Sequence, residues 1–235
     1  MFRHAAYLFC GLLLLCPWSS AAFVNGEFET GDLTGWTLIG TGQSSSGQSY
    51  EEVEVFPFAG SWAAELNSGG TSGDDIAVTL GVDHETLNDS NNGVVAESGS
   101  LLWQSVLLNA GDTIQFRWNF VAGDSAPYSD WAIFGLSFNG GPSTLQRLSS
   151  VDEFEGAAEE YQASGWQYYS ATVADTGVYT LYFGVLDGLE EGFSSYLWVD
   201  SISVSEAGAV PEPGTLAFLA IGLVCIALNV RRRRG

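Results

Sequence analysis

The segment Thr113-Ile-Gln-Phe-Arg-Trp-Asn-Phe120 decides the fold class of this chain. Apolar residues at positions 114, 116, 118 and 120 alternate with polar residues at positions 113, 115, 117 and 119. A period of two places the two sets on opposite faces of an extended strand, one toward a core and one toward solvent. Tyr179-Thr-Leu-Tyr-Phe-Gly-Val185 has the same period. The alternation predicts half-buried β-strands rather than amphipathic helices.

Similar short segments recur along the chain between turn signals. Gly-containing turns stand at 109–112, 139–142 and 175–177. About eleven short strands between such turns are typical of an all-β, antiparallel β-sandwich of jelly-roll type. We expect one helical turn at Phe154–Tyr161. The further predicted strands are Trp36–Gly40, Glu51–Phe58, Ser61–Leu66, Asp75–Leu80, Leu101–Leu108, Trp131–Phe138, Thr144–Ser149, Trp166–Val173 and Tyr196–Val204.

The charge of the chain restricts its partners. The 235 residues include 28 acidic residues, seven arginines and no lysine, a formal net charge of −21. Residues 23–206 alone hold 27 of the acidic residues but only Arg117 and Arg147, which gives a net charge of −25. Such a body repels phosphate backbones and anionic polymers, which excludes nucleic acid and favours a neutral glycan or a cation-bridged polymer. Since 46% of the residues are hydrophobic, the charge does not imply disorder.

The first 22 residues have the pattern of a secretory signal peptide. Arg3 and His4 give a positive start, Tyr7–Cys16 form an apolar run, and small residues precede a cleavage position after Ala22. The alternative is an uncleaved membrane anchor, but the run is short for a span and ends at Pro17. We therefore expect export. Of the three cysteines, none lies in residues 23–206, so the body has no disulfide and no thiol chemistry.

The C-terminal residues have the pattern of a second sorting signal, in addition to the signal peptide. A linker, residues 207–214, contains Pro211, Glu212 and Pro213, and residues 215–235 hold an apolar stretch from Leu216 to Val230. The chain ends with the basic block Arg231, Arg232, Arg233 and Arg234 before the final glycine. The apolar stretch predicts a transmembrane helix, although it is slightly shorter than the ~20 residues usually needed. By the positive-inside rule the arginines stay cytoplasmic and the acidic body lies on the far side of the membrane.

Residues 210–235 resemble the PEP-CTERM sorting signal of Gram-negative bacteria, in which Pro-Glu-Pro precedes one hydrophobic span and an arginine cluster. The resemblance implies processing by an exosortase and transient anchoring in the inner membrane. The protein would then reach the cell surface or the extracellular matrix. Such proteins typically accompany exopolysaccharide and biofilm production.

Two further segments resemble galactose-binding-like jelly rolls, the architecture of many carbohydrate-binding modules. Phe23-Val-Asn-Gly-Glu-Phe-Glu-Thr-Gly-Asp-Leu-Thr-Gly-Trp36 is similar to their opening strand, and Tyr196-Leu-Trp-Val-Asp-Ser-Ile-Ser-Val204 is similar to their closing strand. Residues 118–132 resemble a segment found in PEP-CTERM ectodomains. The resemblance implies the jelly-roll architecture rather than a particular activity.

Calcium is the cofactor that this resemblance implies. The first and last strands of such modules commonly share a structural Ca²⁺, and the matching residues are Glu27 or Glu29 with Asp200. Asp200 also shares strand parity with Trp198, which turns it inward, where a lone carboxylate is costly unless it is paired or metal-bound. The alternative is a β-bulge that turns Asp200 to solvent. A second possible cluster contains Asp124, Asp130, Asp187, Glu190 and Glu191, for which solvated loop acids are the commoner explanation.

Aromatic residues near turns are the candidates for sugar binding. Aromatic faces stack on pyranose rings while Asn, Asp and Gln bind the hydroxyl groups. Tyr-Ser-Asp-Trp and Trp-Gln-Tyr-Tyr provide both kinds of side chain, and the alternative for any one of these aromatics is a place in the core. We expect a ligand-binding surface at Tyr128, Asp130, Trp131 and Tyr168, with Trp166 and Tyr169 as further candidates.

Catalytic signatures are weak in this sequence. His84 is the one histidine of the body, and no Gly-x-Ser-x-Gly elbow or His-Glu-x-x-His motif is present. Acidic residues are plentiful but do not form the Glu-x-Asp-x-x-Glu motif of jelly-roll glucanases. The sequence predicts a non-enzymatic, exported protein that associates with glycan. A divergent polysaccharide-active enzyme and a ligand-free structural surface protein remain the alternatives.

Overall fold

The computed structural model describes residues 22–123, 128–154, 161–189 and 193–207. The predicted sorting segment, and the predicted signal peptide up to residue 21, lie outside the described residues. The strands are β1 (Thr37–Ile39), β2 (Thr41–Ser45), β3 (Gln48–Tyr50), β4 (Val53–Val55), β5 (Ala63–Asn67), β6 (Thr71–Ser72), β7 (Ala96–Leu108), β8 (Thr113–Ala122), β9 (Trp131–Phe138), β10 (Thr144–Ser150), β11 (Gln162–Ala163), β12 (Gln167–Thr172), β13 (Gly177–Gly188) and β14 (Tyr196–Ser205). The helices are α1 (Gly73–Leu80), α2 (His84–Asp89) and a 3-10 turn at Val151–Glu153.

Two antiparallel sheets form the body. The first sheet has the order β1-β7-β13-β9-β10, and β6 also pairs with β7. The second sheet has the order β11-β8-β14-β5-β2, and β12 also pairs with β8. A separate hairpin consists of β3 and β4. The prediction of an all-β antiparallel sandwich is confirmed.

The main core lies between the two sheets and follows the predicted alternation. Ile114, Phe116 and Phe120 of β8 are buried, as are Leu181 and Phe183 of β13. The rings of Phe116 and Phe183 meet edge to face with centroids 4.9 Å apart, a favoured aromatic geometry. The three hydrophobic clusters of the described structure consist of residues between positions 23 and 204. A fragment spanning residues 23–206 therefore contains all of them.

Each sheet also has a covered outer face. On the first sheet, Ile76 and Leu80 of α1 pack with Leu101, Trp131 and Ile133 in a second cluster. On the second sheet, the β3–β4 hairpin covers part of the surface. There Tyr50 and Val55 join Ala63, Val121 and Trp198 in a third cluster, against which five partly buried residues pack: Val53, Tyr161, Ala163, Trp166 and Tyr196.

Helix α1 corrects the prediction of a strand at Asp75–Leu80. Ser72 caps the helix because its side chain accepts a hydrogen bond from the Asp75 amide, and Gly81 ends it with a positive φ of 70°. The buried residues Ile76, Ala77 and Leu80 have helical spacing. His84, expected in a loop, begins α2 after the N-cap Asp83.

Two other predictions change at element boundaries, and a third falls mostly outside the described residues. Residues 23–36 are turns rather than an opening strand, although the Gly26 carbonyl accepts a hydrogen bond from the Ile202 amide at the end of β14. The predicted strand Glu51–Phe58 is a hairpin turn followed by the short β4, with Glu51 at a positive φ of 53°. The predicted helical turn at Phe154–Tyr161 falls mostly on residues 155–160, outside the described residues.

Within the described ranges, no helix has the length and apolar character to cross a membrane.

Candidate functional site

The outer face of the second sheet places aromatic and polar side chains together. Along β14, Leu197 and Val199 enter the main core, whereas Trp198 belongs to the third cluster and Tyr196 packs against it. In β5 the alternation is the same, since Ala64 and Leu66 pack in the core. The residues of opposite parity on these two strands therefore form the floor of a surface under the β3–β4 hairpin.

A cleft of about 400 Å³ lies in this surface. It runs between the hairpin and the strands β2, β5 and β14, and Tyr161, just before β11, closes one side. This volume falls within the usual size range of small-molecule sites. The cleft is lined by Gln43, Gln48, Ser49, Tyr50, Glu51, Glu65, Tyr161 and Tyr196.

A hydrogen-bond network organises the base of the cleft. The Tyr50 hydroxyl donates to Glu65 Oε1 at 2.5 Å and accepts a hydrogen bond from Trp198 Nε1 at 2.9 Å. Glu65 Oε2 accepts from Gln43 Nε2 at 2.9 Å. Glu65 is only 6% exposed. Since a carboxylate offers about four lone-pair positions, these two bonds leave acceptor capacity toward the cleft.

Three tyrosine rings form the walls. The Tyr50 and Tyr196 ring centroids are 4.3 Å apart, those of Tyr50 and Tyr161 are 5.7 Å apart, and those of Tyr161 and Tyr196 are 6.3 Å apart. Packed rings hold one another in fixed orientations, so the walls are preformed.

Two phenols of the cleft, those of Tyr50 and Tyr161, have raised pKa values. Burial, together with the hydrogen bond to Glu65, raises the pKa of Tyr50 well above its ordinary value. Burial also raises the pKa of Tyr161, and the neighbouring Tyr196 and Glu51 add to the increase. The cleft combines tyrosine hydroxyl groups and glutamine amides with the carboxyl group of Glu65. Such a set binds molecules that carry several hydroxyl groups around an apolar ring face.

The structure corrects the predicted ligand-binding surface. Trp131 is 0% exposed in the second cluster, where its Nε1 donates to Ser90 Oγ at 3.0 Å. Asp130 is also fully buried and accepts hydrogen bonds from the Gly188 and Ser195 amides. Neither side chain is open to a ligand, since both hold structural positions beneath the surface.

The other two predicted ligand residues are more accessible. Tyr128 is partly buried next to Asp130, and Tyr168 is 51% exposed on β12 of the second sheet. Tyr168 pairs in register with Arg117 and so shares the outer face of that sheet. The structure therefore does not bring the four predicted residues into one surface. Only Tyr168 lies on the face that carries the cleft.

Of the predicted metal residues in the described part of the chain, Asp200 and Glu29 contact the same loop, whereas Glu27 does not. Asp200 is fully buried, and its carboxylate accepts hydrogen bonds from the Ala59 amide at 3.0 Å and the Ser201 amide at 2.5 Å. Glu29 accepts from the Ser61 and Trp62 amides of the same loop. Burial raises the pKa of Asp200 to about 6, and the nearby Glu29 adds to the increase.

A β-bulge follows Asp200, as the sequence-based alternative expected, but it does not turn Asp200 to solvent. The register with β8 shifts between Asp200 and Ser203. Trp198 and Asp200 lie on the outer face of the second sheet, and the shift places Ile202 on the opposite face, in the main core. Glu27 is exposed and makes no hydrogen bond or ion pair with this loop among the described residues. Across the described ranges, no group of three or more acidic, His or Cys side chains is positioned for a metal.

The second acidic cluster is only partly described. Asp187 is buried, as is Asp130, whereas Asp124, Glu190 and Glu191 lie outside the described residues.

The residues of the cleft were not among the sequence-based candidates. Glu65 stands between buried alanine and leucine residues in a predicted strand, and Tyr196 shares its parity with Trp198. A carboxylate of outer-face parity in a strongly apolar strand is a usable signal. Tyr50 gave no such signal, because its position depends on the hairpin that folds over the sheet.

A comparison with known protein families agrees with the prediction of a C-terminal sorting signal. The PEP-CTERM protein-sorting motif matches residues 209–234, which confirms the resemblance drawn from the Pro-Glu-Pro segment and the arginine block. The chain is thus an all-β sandwich protein that carries a PEP-CTERM sorting motif. No curated protein matches it.

Among the solved structures similar to this chain are β-sandwich domains of carbohydrate-binding modules. The structure of TmCBM61 in complex with β-1,4-galactotriose is 14% identical, with 80% of this chain and 100% of that chain covered and a TM-score of 0.45. The K3 cleaved adhesin domain of Lys-gingipain from Porphyromonas gingivalis is 13% identical, with coverages of 80% and 100% and a TM-score of 0.43. The CBM22-1 xylan-binding domain from Paenibacillus barcinonensis Xyn10C is 12% identical, with coverages of 78% and 94% and a TM-score of 0.37.

Proposed function

We propose that this protein is an exported, non-enzymatic surface or matrix protein whose body binds a neutral glycan. The observation that carries the proposal is the preformed cleft, in which three tyrosine rings surround the hydrogen-bonded carboxylate of Glu65. Aromatic walls provide stacking area at low entropic cost, and the carboxylate and amides accept and donate hydrogen bonds to hydroxyl groups.

The charge of the body supports a neutral ligand. Residues 23–206 carry a net charge of −25, and Glu51 and Glu65 both line the cleft. An acidic polymer would be repelled unless a divalent cation lay between the two. The favoured ligand is therefore a neutral oligosaccharide or polysaccharide of the cell exterior, such as an exopolysaccharide of a biofilm matrix.

The sorting motif supports the route of export. An exosortase would process the chain near Pro211-Glu212-Pro213 after the C-terminal stretch had anchored it briefly in the inner membrane. In a host that has an exosortase, replacement of these three residues by alanine should leave the chain unprocessed in the membrane fraction. Equal release of the variant and the original protein would contradict this route.

Glycan arrays test the binding proposal. The fragment 23–206 should bind one class of neutral glycan, and the Tyr196→Ala and Glu65→Gln variants should lose that binding while keeping their fold by circular dichroism. Leu107→Ala, a change at an exposed residue of the first sheet, is the matched control. An array without any signal would favour a ligand-free structural protein.

A second candidate function, polysaccharide cleavage, rests on one observation. Two carboxylates, Glu51 and Glu65, line the same cleft, and glycoside hydrolysis commonly uses such a pair. Both oxygens of Glu65 already accept hydrogen bonds from Tyr50 and Gln43, which suits a binding role. Reducing-sugar release from any polysaccharide, abolished by both Glu51→Gln and Glu65→Gln, would support the enzyme and contradict the binding protein.

We also propose a structural Ca²⁺ near Asp200 and Glu29. The buried Asp200 carboxylate and the Glu29 carboxylate both face the loop of residues 58–62, whose carbonyls and water would complete the six to eight oxygen ligands. Bound Ca²⁺ would offset the unfavourable burial of this charge. Thermal melts in Ca²⁺ and in chelator should differ by several degrees in the original protein and not in Asp200→Asn. If the original protein melts at the same temperature in Ca²⁺ and in chelator, the proposed Ca²⁺ site is wrong.

A further inference from the structure

A second group of aromatic residues stands beside the cleft on the same outer face. Phe58 and Tyr168 are 45% and 51% exposed, respectively, and both lie against Arg117. Large aromatic side chains gathered at one exposed place are unusual on a monomer and commonly mark a binding surface. We call Phe58, Tyr168 and the Arg117 side chain between them the aromatic platform.

Arg117 holds the platform together. Its guanidinium carbon lies 4.5 Å from the Phe58 ring centroid and 4.6 Å from the Tyr168 ring centroid. A planar guanidinium between two rings stacks on both, which keeps the rings apart and upright on the sheet. Each ring thus has one face on Arg117. Phe58 also meets Trp166, and Phe58 and Tyr168 remain 45% and 51% exposed, respectively.

The donors of Arg117 have no hydrogen-bond partner within the described part of the chain. Asp200 is its register partner on β14, but no salt bridge joins the two within 4 Å. Among the described residues, Arg117 makes no hydrogen bond and no ion pair. A guanidinium carries five N–H donors, and here they lie between two exposed rings. An array of donors framed by aromatic rings matches the hydroxyl and ring oxygens of a sugar.

The platform is continuous with the cleft. Tyr196 of the cleft and Asp200 beside Arg117 are four residues apart on β14, which corresponds to about 13 Å along the strand. Trp166 connects the two regions. It packs against the third cluster near Tyr50, its Nε1 donates to the Phe56 carbonyl, and its ring meets Phe58 with centroids 5.9 Å apart.

We propose that the aromatic platform is a second sugar-stacking subsite, so that the protein binds an extended neutral chain along this face rather than a single sugar. The inference rests on the proposed glycan binding of the cleft. Glu65 gives the cleft a carboxylate acceptor, whereas Arg117 gives the platform a guanidinium donor, so the two ends of the surface bind a chain by different contacts. The net charge of −25 on residues 23–206 disfavours a carboxylated sugar despite the arginine.

Chain-length dependence tests this inference. Titration calorimetry is done on the full-length protein, in a detergent without a sugar headgroup. The probes are β-1,4-linked oligosaccharides of glucose, xylose, mannose and galactose, each as dimer and hexamer. The original protein should bind the hexamer of one series more tightly than the dimer. Tyr168→Ala and Phe58→Ala should weaken hexamer binding about tenfold and change dimer binding less than twofold.

Matched variants separate stacking from other effects. Tyr168→Phe keeps the ring and should bind the hexamer like the original protein, and Leu107→Ala controls for loss of an exposed apolar side chain. Arg117→Lys keeps the charge but loses the planar stacking and should weaken the hexamer alone.

The outcomes distinguish the two proposals. Hexamer affinity unchanged in Tyr168→Ala and Phe58→Ala, with binding still lost in Glu65→Gln, overturns the platform and leaves the cleft. Hexamer binding lost in the platform variants but unchanged in Glu65→Gln overturns the cleft. If the original protein binds none of the oligosaccharides, both proposals fail.

Discussion

Replacement of Tyr50 by phenylalanine is the perturbation that tests the organisation of the cleft most sharply. The Tyr50 hydroxyl is buried and serves two partners, donating to Glu65 Oε1 at 2.5 Å and accepting from Trp198 Nε1 at 2.9 Å. Removal of the hydroxyl leaves two buried partners without this bond, since Trp198 is fully buried and Glu65 is only 6% exposed. The ring itself stays, so its packing against Tyr196 and Tyr161 is retained.

The expected cost follows from these contacts. A hydrogen bond to a charged group contributes about 1.5–3 kcal/mol, and an unsatisfied buried donor such as Trp198 Nε1–H costs about 1–3 kcal/mol. The two effects overlap because one hydroxyl mediates both, so we expect Tyr50→Phe to lower the free energy of unfolding by about 3 kcal/mol. With a urea m-value of about 2 kcal/mol per M, the midpoint falls by about 1.5 M.

Urea denaturation of the 23–206 fragment measures the change, and amide hydrogen exchange of β3 and β4 adds a local readout. If the hairpin opens by itself, exchange there accelerates even where the global midpoint moves less. Tyr168→Phe, which removes an exposed hydroxyl of the same sheet, is the control and should change stability by less than about 0.5 kcal/mol. An unchanged midpoint together with unchanged exchange in the hairpin would refute the network.

Three further predictions concern stability. Because burial raises the pKa of Asp200 from 3.8 to about 6, the ionised side chain is unfavourable in the folded state above pH 6. In chelator, protonation of Asp200 should therefore raise the free energy of unfolding by about 2–3 kcal/mol as the pH is lowered from 7 to 4. Urea titrations of Asp200→Asn should lack this contribution. Ser72→Ala removes the cap of α1 and should cost about 1 kcal/mol in the same assay, whereas an equal midpoint would exclude the cap. Gly26→Ala places a Cβ against the carbonyl oxygen of Ile202 and should cost about 1–3 kcal/mol; a neutral effect would show that residues 23–36 are not docked there.

The main core could be predicted from the sequence because its signal is local. The alternation in residues 113–120 and 179–185 decides which side chains face the other sheet, and the structure places Phe116, Phe120 and Phe183 there. Residues 75–80 were misread because their six residues also suit a strand. The Ser72 and Gly81 caps, which decide for a helix, stand just outside that window.

The cleft could not be predicted in the same way. Its residues come from β2, the β3–β4 hairpin, β5, β14 and the segment before β11, which are far apart in sequence. Their convergence depends on the order of strands in the second sheet and on the fold of the hairpin over it. Trp131 shows the opposite error, since an aromatic residue near a turn proved to lie under α1 and α2 in the second cluster.

Asp200 illustrates how far parity arguments extend. Parity with Trp198 correctly predicts a buried carboxylate, and both residues are fully buried. Both residues lie on the outer face of the second sheet, where Trp198 belongs to the third cluster, and not in the main core. The bulge after Asp200 then turns Ile202 toward the main core. Sequence periodicity therefore shows which residues of a strand share one face of the sheet. Only the strand pairing shows which part of the structure covers that face.

Binding of neutral oligosaccharides to the cleft is the central claim, and one calorimetric comparison tests it most directly. The original 23–206 fragment, Tyr196→Ala and Glu65→Gln are titrated with the best oligosaccharide found on the array. The account predicts that both variants remain folded and bind at least about tenfold more weakly, because each loses a wall or the central acceptor of the cleft. Equal affinity of the three proteins, or no binding by the original fragment, would contradict it.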